Sequence, residues 1–200
     1  MSISESRWHW LFVLAAAGCG GANAAAPAAS PSAPVTALER FLPLKNETVF
    51  SYETYIEETN ERGLAVMEVS RPRDTLAELR IAGQVKRRYH ITPEGIQTST
   101  GGYALKAPLS VGAEWQGDDG KVRVTAMDRS VTVPAGQFSG CLETVEAVQL
   151  AATATRKTTT VYCPGVGITV LQIEGQQDGD SVLQRLSLKA FGPRFVPPAQ

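Results

Sequence analysis

Apolar and polar residues alternate over most of the chain beyond residue 48, and a two-residue period is typical of a β-strand with one buried face. Phe50, Tyr52 and Ile56, for example, fall on one face of such a segment. No stretch of this region carries a sustained 3.6-residue period, and only residues 35–41 predict a short helix. The predicted strands cover residues 49–56, 64–69, 76–82, 85–92, 121–133, 138–150, 157–163, 166–174 and 182–191.

Short turn signals separate the predicted strands. Proline, glycine or paired aspartates mark residues 93–95, 118–120, 134–136, 164–165 and 177–180, and these residue types supply the dihedral angles that tight turns need. About nine or ten strands joined in sequence predict an all-β domain over residues 37–200. We expect an antiparallel, strongly twisted sheet that forms a half-barrel or barrel.

Residues 101–115 interrupt the alternation. They contain a Gly-Gly pair, a proline and a further glycine, so they predict one long loop. A long aperiodic segment is uncommon in a compact β domain unless it covers or binds something. The apolar side chains of this loop, Leu109, Val111 and Trp115, are therefore candidates for a lid over an apolar ligand. The alternative is that they only pin the loop to the core.

The first 36 residues predict a targeting signal and a tether. Arg7 precedes a short apolar run over residues 8–17, which is typical of a secretion signal and shorter than the roughly 20 residues of a spanning helix. Residues 16–19 (Ala-Ala-Gly-Cys) resemble the lipobox of bacterial lipoproteins, so we predict a signal peptide over residues 1–19 and a lipidated Cys19. The alternative is cleavage after Ala24, which would release a soluble secreted or periplasmic protein.

The segment after Cys19 favours the lipid anchor. Residues 20–36 are rich in Ala, Pro, Ser and Gly and carry no charged side chain. This composition predicts a flexible tether with an end-to-end distance of roughly 20–25 Å. Gly20 occupies the position where an aspartate would favour retention at the inner membrane, so we expect the periplasmic face of the outer membrane of a bacterial cell envelope.

The cysteine count points to the same compartment. The chain has three cysteines, and lipidation of Cys19 would leave Cys141 and Cys163 as a pair. Both fall in predicted strands, and setting them opposite each other places residue 145 opposite 159 and residue 147 opposite 157, which is a continuous antiparallel register. In an oxidising compartment this pair predicts a disulfide. The alternative is two separately buried thiols.

The charge balance and the histidine count argue against several kinds of partner and site. Nineteen Lys and Arg residues against 20 Asp and Glu residues give a net charge of −1, which offers no basic excess for a nucleic-acid partner. His90 is the only histidine after the leader, so we expect no metal site, no cofactor and no catalytic residue. The Asp118-Asp119 pair lacks the spacing of a calcium loop and is interpreted as a solvated turn.

Four segments, taken in order, resemble the TapB-like group of secreted bacterial β proteins and lipoproteins. The similarity covers most of residues 40–191, with one departure at residues 46–48 (Asn-Glu-Thr), where the group usually has a glycine before the first strand. It implies an envelope-located β half-barrel akin to lipoprotein-carrier folds, and it implies no catalytic residues. The segments are 41–44 (Phe-Leu-Pro-Leu), 108–115 (Pro-Leu-Ser-Val-Gly up to Trp115), 131–138 (Val-Thr-Val-Pro-Ala-Gly-Gln-Phe) with Cys141 following, and 161–167 (Val-Tyr-Cys-Pro-Gly-Val-Gly).

Three function classes follow from these patterns. The first expectation is a non-catalytic binding or accessory module, held at the membrane by its lipid and contacting an envelope protein. The second is a carrier of a hydrophobic ligand, such as a lipid, inside the half-barrel. The third is an envelope hydrolase or redox enzyme, for which His90 would be the residue to test.

Overall fold

The computed structural model of the protein describes residues 37–177 and 180–195. The predicted signal peptide over residues 1–19, the lipidation of Cys19 and the tether over residues 20–36 lie outside the described residues. Among the described residues, no helix is long and apolar enough to cross a membrane.

The described residues form one short helix and twelve β-strands. The elements are α1 Ala37–Phe41, β1 Thr48–Ile56, β2 Glu61–Arg73, β3 Leu76–Ile81, β4 Gln84–Ile91, β5 Gly95–Thr98, β6 Tyr103–Lys106, β7 Glu114–Gln116, β8 Lys121–Val133, β9 Gly136–Ala151, β10 Ala154–Cys163, β11 Gly167–Gln177 and β12 Asp180–Pro193.

All twelve of these strands belong to one antiparallel sheet. Their spatial order is β6-β5-β4-β3-β2-β1-β12-β11-β10-β9-β8-β7, so sequential strands are neighbours and β1 pairs with β12. The two outermost strands, β6 and β7, lie beside each other, which rolls the sheet into a nearly closed barrel. The predicted all-β antiparallel barrel is confirmed.

The predicted pairing of the two cysteine-bearing strands is confirmed as well. In the β9–β10 ladder Val145 lies opposite Thr159 and Ala147 opposite Lys157. This register brings Cys141 and Cys163 to a Cα–Cα distance of 4.2 Å, and the two form a disulfide. Both side chains are fully buried, so the disulfide is part of the core.

The predicted loop over residues 101–115 is wrong at both of its ends. Residues Tyr103–Lys106 form β6, and Glu114–Gln116 form β7. The preceding segment, Gly95–Thr98, is also a strand and pairs with both β4 and β6. These strands have three or four residues, too few to display an alternation, and they are recognised as strands by their pairing with neighbouring strands.

A short N-terminal segment fills one end of the barrel, which we call the closed end. It consists of α1 and the residues that follow, and it buries the side chains Leu38, Phe41, Leu42 and Leu44. Leu42 and Leu44 lie against the first residues of β1 and β11, beside Phe50 and Ile168. The closed end is therefore sealed by apolar burial.

Polar contacts also hold the N-terminal segment in place. Arg71 donates a hydrogen bond of 2.7 Å from Nη1 to Glu39 Oε1, and the Gly165 amide donates one of 2.8 Å to the carbonyl of Arg40. Glu47, just before β1, has φ 58° and occupies the left-handed region that favours glycine.

Candidate functional site

The inner face of the barrel encloses a cavity of about 460 Å³. One of its walls is apolar and comes from β2, β3, β11 and β12. These strands turn every second side chain inward, because alternate residues of a strand point to opposite faces of the sheet. The apolar wall consists of Met67, Leu79, Ile168, Leu171, Ile173 and Leu186.

The adjoining wall of the cavity carries hydroxyl groups. Strands β9 and β10 contribute Thr144, Thr158 and Thr160, of which Thr144 and Thr160 are buried from bulk solvent. A threonine hydroxyl can both donate and accept a hydrogen bond. The cavity therefore has an apolar side and a hydroxyl-bearing side.

Three buried tyrosines, Tyr52, Tyr89 and Tyr162, also line the cavity. Burial raises the pKa of each of their hydroxyls above the ordinary tyrosine value, because a phenolate would lose its hydration. The Tyr52 hydroxyl donates a hydrogen bond of 3.0 Å to the carbonyl of Ile168. All three therefore act at neutral pH as uncharged hydrogen-bonding groups.

The end of the cavity opposite the closed end is covered by residues 117–120 (Gly-Asp-Asp-Gly), which we call the mouth turn. Asp118 forms an ion pair of 3.2 Å with Arg87 of β4. Asp119 forms an ion pair with Arg156 of β10. Because β4 and β10 stand on different sides of the barrel, the mouth turn connects the two sides across the opening.

Further hydrogen bonds fix the mouth turn. The hydroxyls of Thr98 and Thr100 donate to Asp118 Oδ1. Glu146 Oε1 accepts the backbone N–H groups of Asp119 and Gly120, at 3.0 and 2.9 Å. The turn can approach this closely because Gly117 has no Cβ, and a Cβ there would overlap the Glu146 carboxylate.

Arg87 carries the charge that faces these acids. Burial disfavours its guanidinium charge, but the neighbouring Tyr89 oxygen and Asp118 carboxylate outweigh that effect and raise the pKa of Arg87. Arg87 therefore carries a positive charge at neutral pH.

The seam between β6 and β7 closes the barrel without a strand-to-strand ladder among the described residues. The Trp115 indole N–H donates a hydrogen bond of 2.9 Å to the carbonyl of Tyr103. Nearby, Gly102 packs so closely on Gly117 that a Cβ would overlap the Gly117 carbonyl. Side-chain bonds and glycine contacts thus replace backbone pairing at the seam.

The structure places the three predicted lid residues apart from the mouth. Trp115 is buried in β7, Leu109 packs against the core, and Val111 is 64% exposed. The loop that follows β6 first lies beside the turn before β5, where the Ala107 amide N–H donates a hydrogen bond to the Glu94 carbonyl. It then lies beside β8. Leu109, Val111 and Trp115 are not among the residues that line the cavity. The mouth turn lies at the position expected of a lid.

The structure corrects the interpretation of a solvated turn for Asp118 and agrees with it for Asp119, whose side chain is 54% exposed. The Asp118 side chain is only 14% exposed, since it is enclosed by its partners. The turn at residues 118–120 is confirmed, but the sequence does not show its ion pairs because Arg87 and Arg156 are distant from it along the chain. The usable signal is the pair of flanking glycines, Gly117 and Gly120, which permit a close approach to neighbouring backbone.

The other polar groups lie outside the cavity. His90 is exposed on β4 and does not line it. On the outer wall, Glu78 accepts hydrogen bonds from Arg80 and Arg88, at 2.7 and 3.0 Å, and these bonds lower the pKa of its carboxyl group. Within the described residues, no group of three or more His, Cys, Asp or Glu side chains is placed to hold a metal ion.

Comparisons with known proteins add no conclusion about function to what the geometry shows. No protein family matches the sequence, and no curated protein matches it. One solved structure, a candidate lipoprotein from Parabacteroides distasonis ATCC 8503, is similar over 74% of this chain and 96% of its own chain, with 10% identity and a TM-score of 0.44. A likeness this distant carries no conclusion about function, and the similarity to the TapB-like group stays a prediction.

Proposed function

We propose that this protein is a non-catalytic binding protein of the bacterial cell envelope that takes a small amphipathic molecule into its barrel. The cavity is the observation that carries this proposal. Its volume of about 460 Å³ falls in the range of roughly 300–1,000 Å³ that is usual for ligand pockets. Of the function classes that the sequence leaves open, the cavity supports a ligand carrier over a module that only docks another protein.

The chemistry of the walls supports an amphipathic occupant. The apolar wall of Met67, Leu171, Leu186 and their neighbours would take a hydrocarbon chain, because burial of apolar surface is its main source of affinity. The hydroxyl-bearing wall would orient a polar group. A few placed polar groups in an apolar pocket are typical of specific small-molecule sites.

The arrangement of the acids supports binding without catalysis. Asp118 and Asp119 pair with arginines, and Glu146 accepts two backbone N–H groups. A general base needs a proton acceptor free to face the substrate, whereas these carboxylates hold the mouth turn. We therefore assign them a structural role.

Native mass spectrometry of the protein taken from its own membranes tests this function, because it detects a retained ligand directly. We expect a bound small molecule that is lost in Leu171→Trp, where the larger ring fills the cavity. Val66→Trp places the same ring on the outer face, where residue 66 is 46% exposed, and it should retain the ligand. Identical spectra for both variants would contradict the carrier function.

The envelope location rests on the sequence of the leader. The Ala-Ala-Gly-Cys stretch at residues 16–19 and the uncharged tether over residues 20–36 favour a lipid anchor on Cys19. Cys19→Ser should therefore move the protein from the membrane to the soluble fraction. A variant that still fractionates with membranes would show that Cys19 is not the anchor, and a wild-type protein found in the soluble fraction would favour cleavage after Ala24.

A further inference from the structure

We infer that the cavity selects single-chain amphiphiles with an uncharged, hydroxyl-bearing head, such as a monoacylglycerol, over fatty acids and cationic amphiphiles. This inference rests on the proposed ligand-binding function and adds the class of ligand. It follows from the charges at the mouth, from the way each is already engaged, and from the hydroxyls that line the wall beneath them.

The charges that line the cavity balance exactly in number. A balanced set of fixed charges gives no net attraction to a ligand of either sign, so it supplies no electrostatic reason to prefer an anion or a cation. The three cationic residues are Lys86, Arg87 and Arg156, and the three acidic residues are Asp118, Asp119 and Glu146.

Two of the cations are also committed to protein partners. A carboxylate head at Arg87 would compete with Asp118 for the guanidinium, and one at Arg156 would compete with Asp119. Displacement would cost more at Asp118, whose side chain is only 14% exposed, than at Asp119, whose side chain is 54% exposed. Leaving an enclosed charge without its partner is costly, so an anionic head gains little by entering.

The third cation, Lys86, does not change this balance. It is exposed, and its Nζ lies 3.4 Å from the side-chain oxygen of Gln84. A solvated lysine at the rim attracts an anion weakly, because water and salt screen the interaction. Glu146 also lines the cavity, and its negative charge offsets that of Lys86 in the balance.

An uncharged hydroxyl-bearing head meets none of these costs. It can exchange hydrogen bonds with Thr144, Thr158, Thr160 and Tyr162 without opening an ion pair. A hydroxyl can donate a hydrogen bond to one of these groups and accept one from another, so it can pair with either a donor or an acceptor on the wall. The acyl chain then follows the apolar wall that carries Leu171.

A set of three ligands with the same twelve-carbon chain tests the inference: monolauroylglycerol, laurate and dodecyltrimethylammonium. Their affinities are measured by isothermal titration at pH 7, below the critical micelle concentration of each. We expect monolauroylglycerol to bind roughly tenfold or more tightly than either charged ligand. Laurate binding as tightly as monolauroylglycerol would overturn the inference but not the carrier function. Failure of all three to bind would overturn the carrier function itself.

Charge variants at the mouth give a second test with a predicted sign. Asp118→Asn leaves one excess positive charge, so the ratio of laurate to monolauroylglycerol affinity should rise about tenfold. Arg156→Gln leaves one excess negative charge and should shift the preference towards dodecyltrimethylammonium. The second variant keeps the test valid if the first one fails to fold.

The matched control for these variants is Asp74→Asn, which makes the same charge change away from the cavity. It should leave the ratio of laurate to monolauroylglycerol affinity at the wild-type value. Unchanged ratios in Asp118→Asn and Arg156→Gln would overturn the inference, because head-group selection would then not depend on the charges at the mouth.

Discussion

The two ends of the barrel are closed by different physical means. At the closed end, the side chains Leu38, Phe41, Leu42 and Leu44 are buried, and the Cys141–Cys163 disulfide lies in the strands directly beneath them. At the other end, the mouth turn is held by ion pairs and hydrogen bonds that are partly open to solvent.

This difference indicates which end can open. Apolar burial is non-directional and does not weaken in salt, whereas an ion pair depends on geometry and is screened by ions. Arg87, the partner of Asp118, is 48% exposed, so ions in solution screen this pair more than they would screen a fully buried one. We therefore expect a ligand to enter beside the mouth turn while the closed end stays intact.

The largest effect should come from the closed end. Phe41→Ala removes a buried ring from the N-terminal segment and should lower the free energy of unfolding by about 3–5 kcal/mol, the usual range for deleting a large buried aromatic. Urea unfolding followed by circular dichroism measures this loss. Phe195→Ala is the control, because Phe195 is 83% exposed, and its effect should stay within about 0.5 kcal/mol.

The second effect concerns the disulfide near the closed end. Its cysteines are 22 residues apart, and constraining a loop of this length in the unfolded chain is worth about 3 kcal/mol. Cys141→Ala combined with Cys163→Ala should therefore lower the free energy of unfolding by about that amount. Reducing agent should destabilise the wild type and leave the double variant unchanged. Equal sensitivity of both proteins would argue against a structural disulfide.

A smaller effect is expected at the mouth turn. Asp118→Asn weakens the ion pair with Arg87 and the hydrogen bonds from Thr98 and Thr100, and it should lower the free energy of unfolding by about 1–2 kcal/mol. The loss should shrink in 1 M NaCl, where the Debye length is about 3 Å. The loss in Phe41→Ala should not shrink, and a similar salt response in both variants would refute the contrast between the two ends.

The smallest effect concerns Glu78, which lies on the outer wall away from the mouth turn. It appears in acid. Hydrogen bonds from Arg80 and Arg88 hold the pKa of Glu78 below its ordinary value of 4.5. Its stabilising contribution is therefore complete above that ordinary value and is lost as the pH falls through the lower folded-state pKa. In Glu78→Gln, the free energy of unfolding should fall less steeply with pH below about 4.5 than in the wild type. Glu94→Gln, an exposed control, should follow the wild-type curve.

The sequence predicts most of the fold because alternation is a local signal. The long strands β8 to β12 are each recognisable from their own residues, and two cysteines were enough to set the β9–β10 register. Strands β5, β6 and β7 were missed because they are short and depend on their neighbours. Alternation alone does not show that a strand of this kind forms.

The candidate site was harder to predict than the fold. Alternation does show that Tyr52 and Tyr89 point inward, but it does not show that the inward side chains leave a space between them. The pairing of Asp118 with Arg87 and of Asp119 with Arg156 depends on the closure of the whole barrel. No local pattern contains that information, so the mouth turn was interpreted as an ordinary solvated turn.

The near closure of the sheet also affects how copies of this chain meet one another. Unpaired strand edges are templates on which a second chain can add a strand, and long flat edges promote aggregation. Here the two outermost strands, Tyr103–Lys106 and Glu114–Gln116, are short and turned towards each other across the seam. The seam thus keeps the backbone edges of these two strands from serving as templates for a second copy.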